Sequence, residues 1–210
     1  IKKQSENGGG SSSFILSVKN SYLEQSSDIF YDYVNEDGLP FNFLDIYGKV
    51  SINAENGSKV NLFGFNFTDD VKYRQISNYS WDAVGGGANF LVIPGNSPVL
   101  MEGILAYSSY TMSLEEELQP ARTSSINGFN AGLNFTYFMG KNELKYGLEL
   151  NGFKTDFEFF NEVGQRIEQE QNTTELAGYM KYKLTTGKFL IEPGLRLQWY
   201  ASLSEISFEP

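Results

Sequence analysis

The sequence predicts an all-β chain: antiparallel, up-and-down, transmembrane strands that form part of an outer-membrane β-barrel. Three observations carry that prediction. Apolar and polar residues alternate with period two in about nine segments. The connections alternate between short glycine-bearing turns and long polar links. Aromatic residues gather at segment ends, as in the girdles of membrane barrels.

The segments run near 12–22, 42–54, 59–70, 80–93, 99–112, 128–139, 143–159, 174–184 and 189–203. In 44–54, Leu44, Ile46, Val50 and Ile52 oppose Asp45, Lys49, Ser51 and Asn53. Segment 80–93 carries Gly85, Gly86 and Gly87, where a second backbone, such as a plug, has room to approach. Segment 99–112 alternates less cleanly, and its faces stay unassigned. In 128–139, Phe129, Ala131, Leu133, Phe135 and Tyr137 oppose Asn130, Gly132, Asn134 and Thr136. In 143–150, Leu144, Tyr146, Leu148 and Leu150 oppose Glu143, Lys145, Gly147 and Glu149. In 175–184, Leu176, Gly178, Met180, Tyr182 and Leu184 oppose Glu175, Ala177, Tyr179, Lys181 and Lys183. In 189–203, Phe189, Ile191, Pro193, Leu195, Leu197, Trp199, Ala201 and Leu203 share one face. No stretch of useful length has helical period.

Short turns fall at 55–58, 94–98, 139–142 and 185–188, and long polar links at 23–41, 71–79, 113–127 and 160–173. One end of the sheet therefore carries tight turns and the other large loops, with the loop end expected to face outside the cell. Alternation alone leaves the direction of the apolar face open. The polar face mixes charges with Gly, Asn and Ser, as a wet lumen requires. Tyr137, Phe138, Tyr182, Phe189, Trp199 and Tyr200 lie near segment ends. Both features turn the apolar face toward lipid.

Composition excludes several functions. Mean hydropathy is −0.33, and no window approaches the roughly 20 apolar residues of a transmembrane helix. A net charge of −10 argues against a nucleic-acid partner. The chain has no Cys and no His. Disulfides, thiol nucleophiles, Ser-His-Asp triads and His- or Cys-ligated metals are thus excluded within it. No enzymatic role, cofactor or metal is expected. Asp69-Asp70 and Glu115-Glu116-Glu117 read as solvated acidic loops rather than Ca²⁺ ligands. Glu149 and Glu192 read as lumen-wall carboxylates paired to Lys145, Lys181, Lys183 or Arg196, not as a catalytic pair.

The candidate ligand-binding residues are of two kinds. Lys49, Glu149, Lys181 and Arg196 are polar residues expected to line the lumen. Tyr79, Trp81, Phe157 and Phe159, with Phe160, lie near the loop end, where they can stack on a ligand or pack the loops.

The stretch 191–198, Ile-Glu-Pro-Gly-Leu-Arg-Leu-Gln, followed by Tyr200-Ala201-Ser202-Leu203-Ser204 and Ser207-Phe208-Glu209-Pro210, resembles a strand–loop–strand of TonB-dependent receptor barrels. Residues 175–183 and 144–150 look like the strands before it. Tyr47-Gly48-Lys49-Val50 with Asn61-Leu62-Phe63-Gly64-Phe65-Asn66-Phe67 is similar to Bacteroidetes members. The best matches cover about 143–210; the rest agrees in rhythm.

The resemblance implies energised uptake of a scarce ligand, such as a siderophore, glycan or peptide, through a 22-stranded barrel plugged by an N-terminal domain. Its implied partners are outer-membrane lipid, the plug of the same polypeptide and TonB, with a surface lipoprotein as a further candidate. The implied location is the outer membrane of a Gram-negative bacterium. Residues 1–210 are then expected to be one part of a single barrel domain, with the plug and remaining strands lying outside this sequence; an open nine-stranded sheet would leave unpaired edges in lipid. The alternatives are a complete small outer-membrane barrel acting as adhesin, assembly factor or enzyme, and a soluble lipocalin-like lipid binder.

Overall fold

A computed structural model describes residues 2–4, 9–30, 40–73, 76–117, 119–161 and 163–209. Its strands are β1 (Lys2–Gln4), β2 (Ser11–Asn20), β3 (Phe41–Asn53), β4 (Lys59–Tyr73), β5 (Ser77–Val92), β6 (Val99–Glu116), β7 (Gln119–Met139), β8 (Asn142–Phe160), β9 (Arg166–Thr186), β10 (Phe189–Ile191), β11 (Gly194–Tyr200) and β12 (Glu205–Glu209). A short helix, α1 (Leu23–Phe30), lies between β2 and β3. Neighbours in sequence are neighbours in the sheet, in the order β1-β2-β3-β4-β5-β6-β7-β8-β9-β11-β12, and every pairing is antiparallel. This is the predicted up-and-down topology, with eleven strands on the path instead of about nine.

The extra elements have local causes. β10 and β11 hold one register against β9, with Ile191 opposite Leu184 and Gly194 opposite Lys181. They are one strand interrupted at Glu192-Pro193. Pro193 has no N–H to give the ladder, although its carbonyl still accepts from the Tyr182 N–H at 2.9 Å. β12 returns along β11 after a turn at Ala201–Ser204. α1 was not predicted. Ser21 caps it, the Leu23 N–H donating to Ser21 Oγ at 3.2 Å. The rest of the long link predicted at 23–41 falls largely on 31–39, outside the described residues.

Three other predicted loops are mostly strand. Residues 71–73 and 77–79 continue the ladder between β4 and β5. Glu116 pairs with Gln119, so the β6–β7 connection is very tight. Arg166 already pairs with Phe160, leaving 161–165 as the tip between β8 and β9. Both ends of the sheet therefore carry mainly short turns. What differs is that the strands run on beyond the apolar zone at one end, here called the long-strand end.

Register places every residue on one of two faces, because directly opposed residues point the same way. On one face the apolar residues form a band. It includes Leu144–Leu150 on β8, Phe129–Met139 on β7, Val99–Tyr107 on β6, Val84–Val92 on β5 and Leu176–Leu184 on β9, taking alternate residues of each. This assigns strand 99–112: Val99, Met101, Gly103, Leu105 and Tyr107 share the apolar face. The band is about nine residues tall on each strand, roughly 30 Å of extended chain. At a tilt near 40° that gives a height of about 23 Å, close to the apolar belt of an outer-membrane barrel. Tyr137 and Tyr182 mark its tight-turn margin, and Tyr107, Phe129 and Trp199 the other. Phe138 and Tyr200, also expected in the girdles, lie on the opposite face beside Glu143 and Glu175.

Beyond the band the same face turns polar, with Asp82 on β5, Ser109 and Thr111 on β6, Lys154, Asp156 and Glu158 on β8, and Glu168, Glu170 and Asn172 on β9. The alternation of apolar residues ends there, yet the backbone ladder continues regardless of what the side chains face.

The wall is one sheet thick. Among the described residues Ala177, at 3% exposure, is the sole buried hydrophobic, while Leu105 and Leu148 are 62% and 60% exposed. Such a sheet has no core of its own, and its band is suited to hydrocarbon rather than water.

Candidate functional site

The face opposite the band carries the site. Its backbone is bent toward this side, as the glycines record. A Cβ built on Gly87, Gly85 or Gly147 would lie 2.5, 2.8 and 2.8 Å from a carbonyl oxygen of the neighbouring strand. Within the strands the nearest such approach on the band face, at Gly86, is 3.0 Å, while Gly128 and Gly132 on the polar side of β7 stand at 3.6 and 4.0 Å. The polar face is therefore concave at these strands, as a lumen lining must be. The Gly85–Gly87 stretch admits no second backbone on this face. The Phe63 and Phe65 rings, directly opposite Gly87 and Gly85, occupy the space, within 2.9 and 2.6 Å of the built Cβ positions.

At the height of the band the concave face is charged and hydrogen-bonded. Arg196 Nη2 donates to Glu149 Oε2 at 2.8 Å, although β9 lies between their strands. The bridge passes over Ala177, the residue directly opposite both Glu149 and Gln198. A small side chain there is what lets the pair meet. The same device recurs one strand over. Gly147 separates Tyr179 from Asn134, and the Tyr179 hydroxyl crosses it to donate to Asn134 Oδ1 at 2.7 Å. Gln198 Nε2 donates to Glu175 at 3.1 Å, and Asn61 Nδ2 to Asn89 at 2.7 Å. Near the tight turns Lys181 pairs with Glu192 at 2.7 Å and Lys183 with Glu143 at 3.1 Å.

The four polar candidates all lie on this face. Glu149 and Arg196 are brought together, Lys181 is held by Glu192, and Lys49 sits apart on β3 opposite Phe63. Glu149 and Glu192 engage different cations and do not face one another.

Toward the long-strand end the concave face becomes aromatic. One row of register partners crosses seven strands: Phe43, Asp69, Trp81, Met112, Ser124, Phe157 and Gln169. Trp81 and Phe157 thus share a row three strands apart. Tyr79 stacks on Trp81 with centroids 5.9 Å apart and planes at 13°, and Phe157 meets Phe159 at 5.4 Å and 38°. Phe160 belongs to the opposite face, because its register partner Arg166 follows the band side of β9.

Hollows lie here, and two of them take in the candidate residues. One, of about 370 Å³, is lined by Phe41, Phe43, Asp69, Val71, Trp81 and Tyr110, with Asn42 and Asp70 at its edge. The other, of about 760 Å³, lies under the hairpin tips among Gln119, Arg122, Phe157, Phe159 and Asn161, and Phe160 also lines it despite its opposite register. Partial burial, followed by the negative charges of Asp45 and Asp70, raises the Asp69 carboxyl above its ordinary range.

Sequence reasoning placed Asp69 in a solvated loop and passed over Phe41, Phe43, Tyr110 and the Tyr179–Asn134 bridge. The available signal was phase. Counting in twos from Lys49 through Tyr47 and Asp45 leads directly to Phe43 and Phe41.

The fold matches that of the outer-membrane transporter YddB from Escherichia coli, with a TM-score of 0.59 at 8% identity, over 99% of this chain. The chain spans about a third of that protein, 34% of its length. The translocator domain of the autotransporter NalP from Neisseria meningitidis aligns over 77% of this chain and 62% of its own, with a TM-score of 0.38 and 14% identity. No family model and no curated protein matches. The fold is that of part of an outer-membrane β-barrel wall, an open sheet running from β1 to β12.

Proposed function

We propose that this chain forms part of the barrel wall and outer loops of an active transporter, one that takes up a scarce ligand such as a siderophore, glycan or peptide with energy supplied through TonB. The observation that carries the reading is the division of one sheet into an apolar band and a concave, charged opposite face that turns aromatic at the long-strand end. A wet, charge-lined interior suits passage of a polar solute, and aromatic rings above it suit first capture. The long-strand end then faces outside the cell, and a plug of the same polypeptide occupies the lumen. Lys49, Glu149, Lys181 and Arg196 line the path, while Tyr79, Trp81, Phe157 and Phe159 meet the ligand first.

Uptake by cells expressing the native protein tests this. Accumulation of labelled candidate ligands is expected to cease when the proton-motive force is collapsed or TonB is removed. Uptake that survives both treatments would point to passive flow and overturn the energised reading. A native species near 23.6 kDa in membranes would instead favour a complete small barrel.

A further inference from the structure

We propose that the 370 Å³ cup on the concave face of β3–β6 binds an organic cation, an ammonium or guanidinium group carried by a small solute or by a peptide. The proposal rests on reading this face as the lumen of a ligand-capturing barrel, and names the chemistry its mouth selects.

The cup's walls are Phe41, Phe43, Trp81 and Tyr110, and Asp69 stands between Phe43 and Trp81 in register. Aromatic faces carry negative potential and attract cations, most strongly over indole. A neutral apolar guest would use the rings but gain nothing from a carboxylate set among them. Asp45 lies two residues along the same face of β3, in register with Phe67. Among the described residues neither Asp45 nor Asp69 makes an ion pair.

The cations nearby do not neutralise the site. Lys19 is the register neighbour of Asp45 on β2, yet makes no ion pair with it. Lys72 follows Val71 but points to the other face. Asp70 adds further negative charge at the edge. Partial burial first, and then the like charges of Asp45 and Asp70, raise the protonation range of Asp69, and a seated cation would oppose both. The volume admits a trimethylammonium or guanidinium head with part of its carrier.

Calorimetric titration of the native, detergent-extracted protein tests the assignment with two matched pairs. Choline is compared with its neutral isostere 3,3-dimethylbutan-1-ol, and N-acetylarginine amide with N-acetylcitrulline amide. The cationic member of at least one pair is expected to bind saturably, about tenfold or more tighter than its neutral partner. The pair that responds identifies the carrier as small solute or peptide side chain. Asp69→Asn and Trp81→Ala are each expected to weaken that binding about tenfold, while Leu100→Ala, far down the same face, leaves it unchanged. Each variant is first checked for heat-modifiable migration, the mark of a folded barrel.

Equal binding of charged and neutral members, binding of neither pair, or undiminished affinity in both cup variants would each overturn the proposal. A preference for neutral oligosaccharide over every cation would replace it with a glycan site. Heat-modifiable, detergent-dependent protein that ignores cations removes the cup assignment alone, whereas detergent-free soluble protein removes the barrel reading as well.

Discussion

Arg196 and Glu149 show how much a single small residue decides in a one-layer wall. Their 2.8 Å contact spans a strand because Ala177 leaves room between them. Both side chains remain about one third exposed, at 31% and 33%, so the pair is screened. A double-mutant cycle with Arg196→Ala and Glu149→Ala, read by urea titration in detergent, is expected to give a coupling of about 0.5–1 kcal/mol. Ala177→Leu is expected to abolish that coupling while leaving the strand paired. The pairing of Glu149 with a basic partner was legible from alternation. The choice of Arg196 over Lys145 was not, since it depends on a register two strands away and on an alanine that carries no signal of its own.

At the scale of elements, the hairpins reach beyond the band because their ladders do not need apolar side chains. β8 and β9 run on through Lys154, Asp156, Glu158, Glu168 and Glu170. Arg166 donates to both carboxylate oxygens of Glu158, at 2.7 and 2.9 Å, which holds that carboxyl below its ordinary range. The contribution to ordering is therefore complete above the ordinary carboxylate pKa and is lost as pH falls through the lowered folded value. The protection factors of the Phe159 and Ile167 amides, taken relative to the intrinsic exchange rate at each pH, are expected to hold at neutral pH and to fall only in acid, and Glu158→Gln is expected to remove that fall.

Glycine carries the other element-scale constraint. Gly87→Ala places a methyl 2.5 Å from the Leu105 carbonyl, so β5 and β6 must part. A loss of about 1–3 kcal/mol in refolding titrations is expected. The cores of nine strands were legible because alternation is strongest where one face meets lipid. Their extensions were not, because Ser, Thr, Glu and Gln outside the bilayer resemble loop sequence. The helix at Leu23–Phe30 is too short to show a period.

For the whole molecule, the same sheet reverses its polarity along its height. Within the band the convex side is apolar, while the concave side is charged across β8, β9 and β11 and aromatic on β4 at Phe63, Phe65 and Phe67; beyond the band the outer side is charged and the inner side carries Trp81 and Phe157. That pattern sets the apolar band against lipid and the opposite face against water. Leu148→Arg, in mid-band, is expected to cost about 2–4 kcal/mol in unfolding from lipid vesicles, and Glu149→Ala far less.

The most direct test uses the absence of cysteine from this chain. Single cysteines are placed in turn at 144–151 on β8, leaving out the crowded Gly147, and intact outer membranes are treated with a water-soluble maleimide. Labelling is expected at 145, 149 and 151 and protection at 144, 146, 148 and 150. The inverse pattern would mean that the apolar face lines the interior, and would contradict the lumen, the site and the transport reading together.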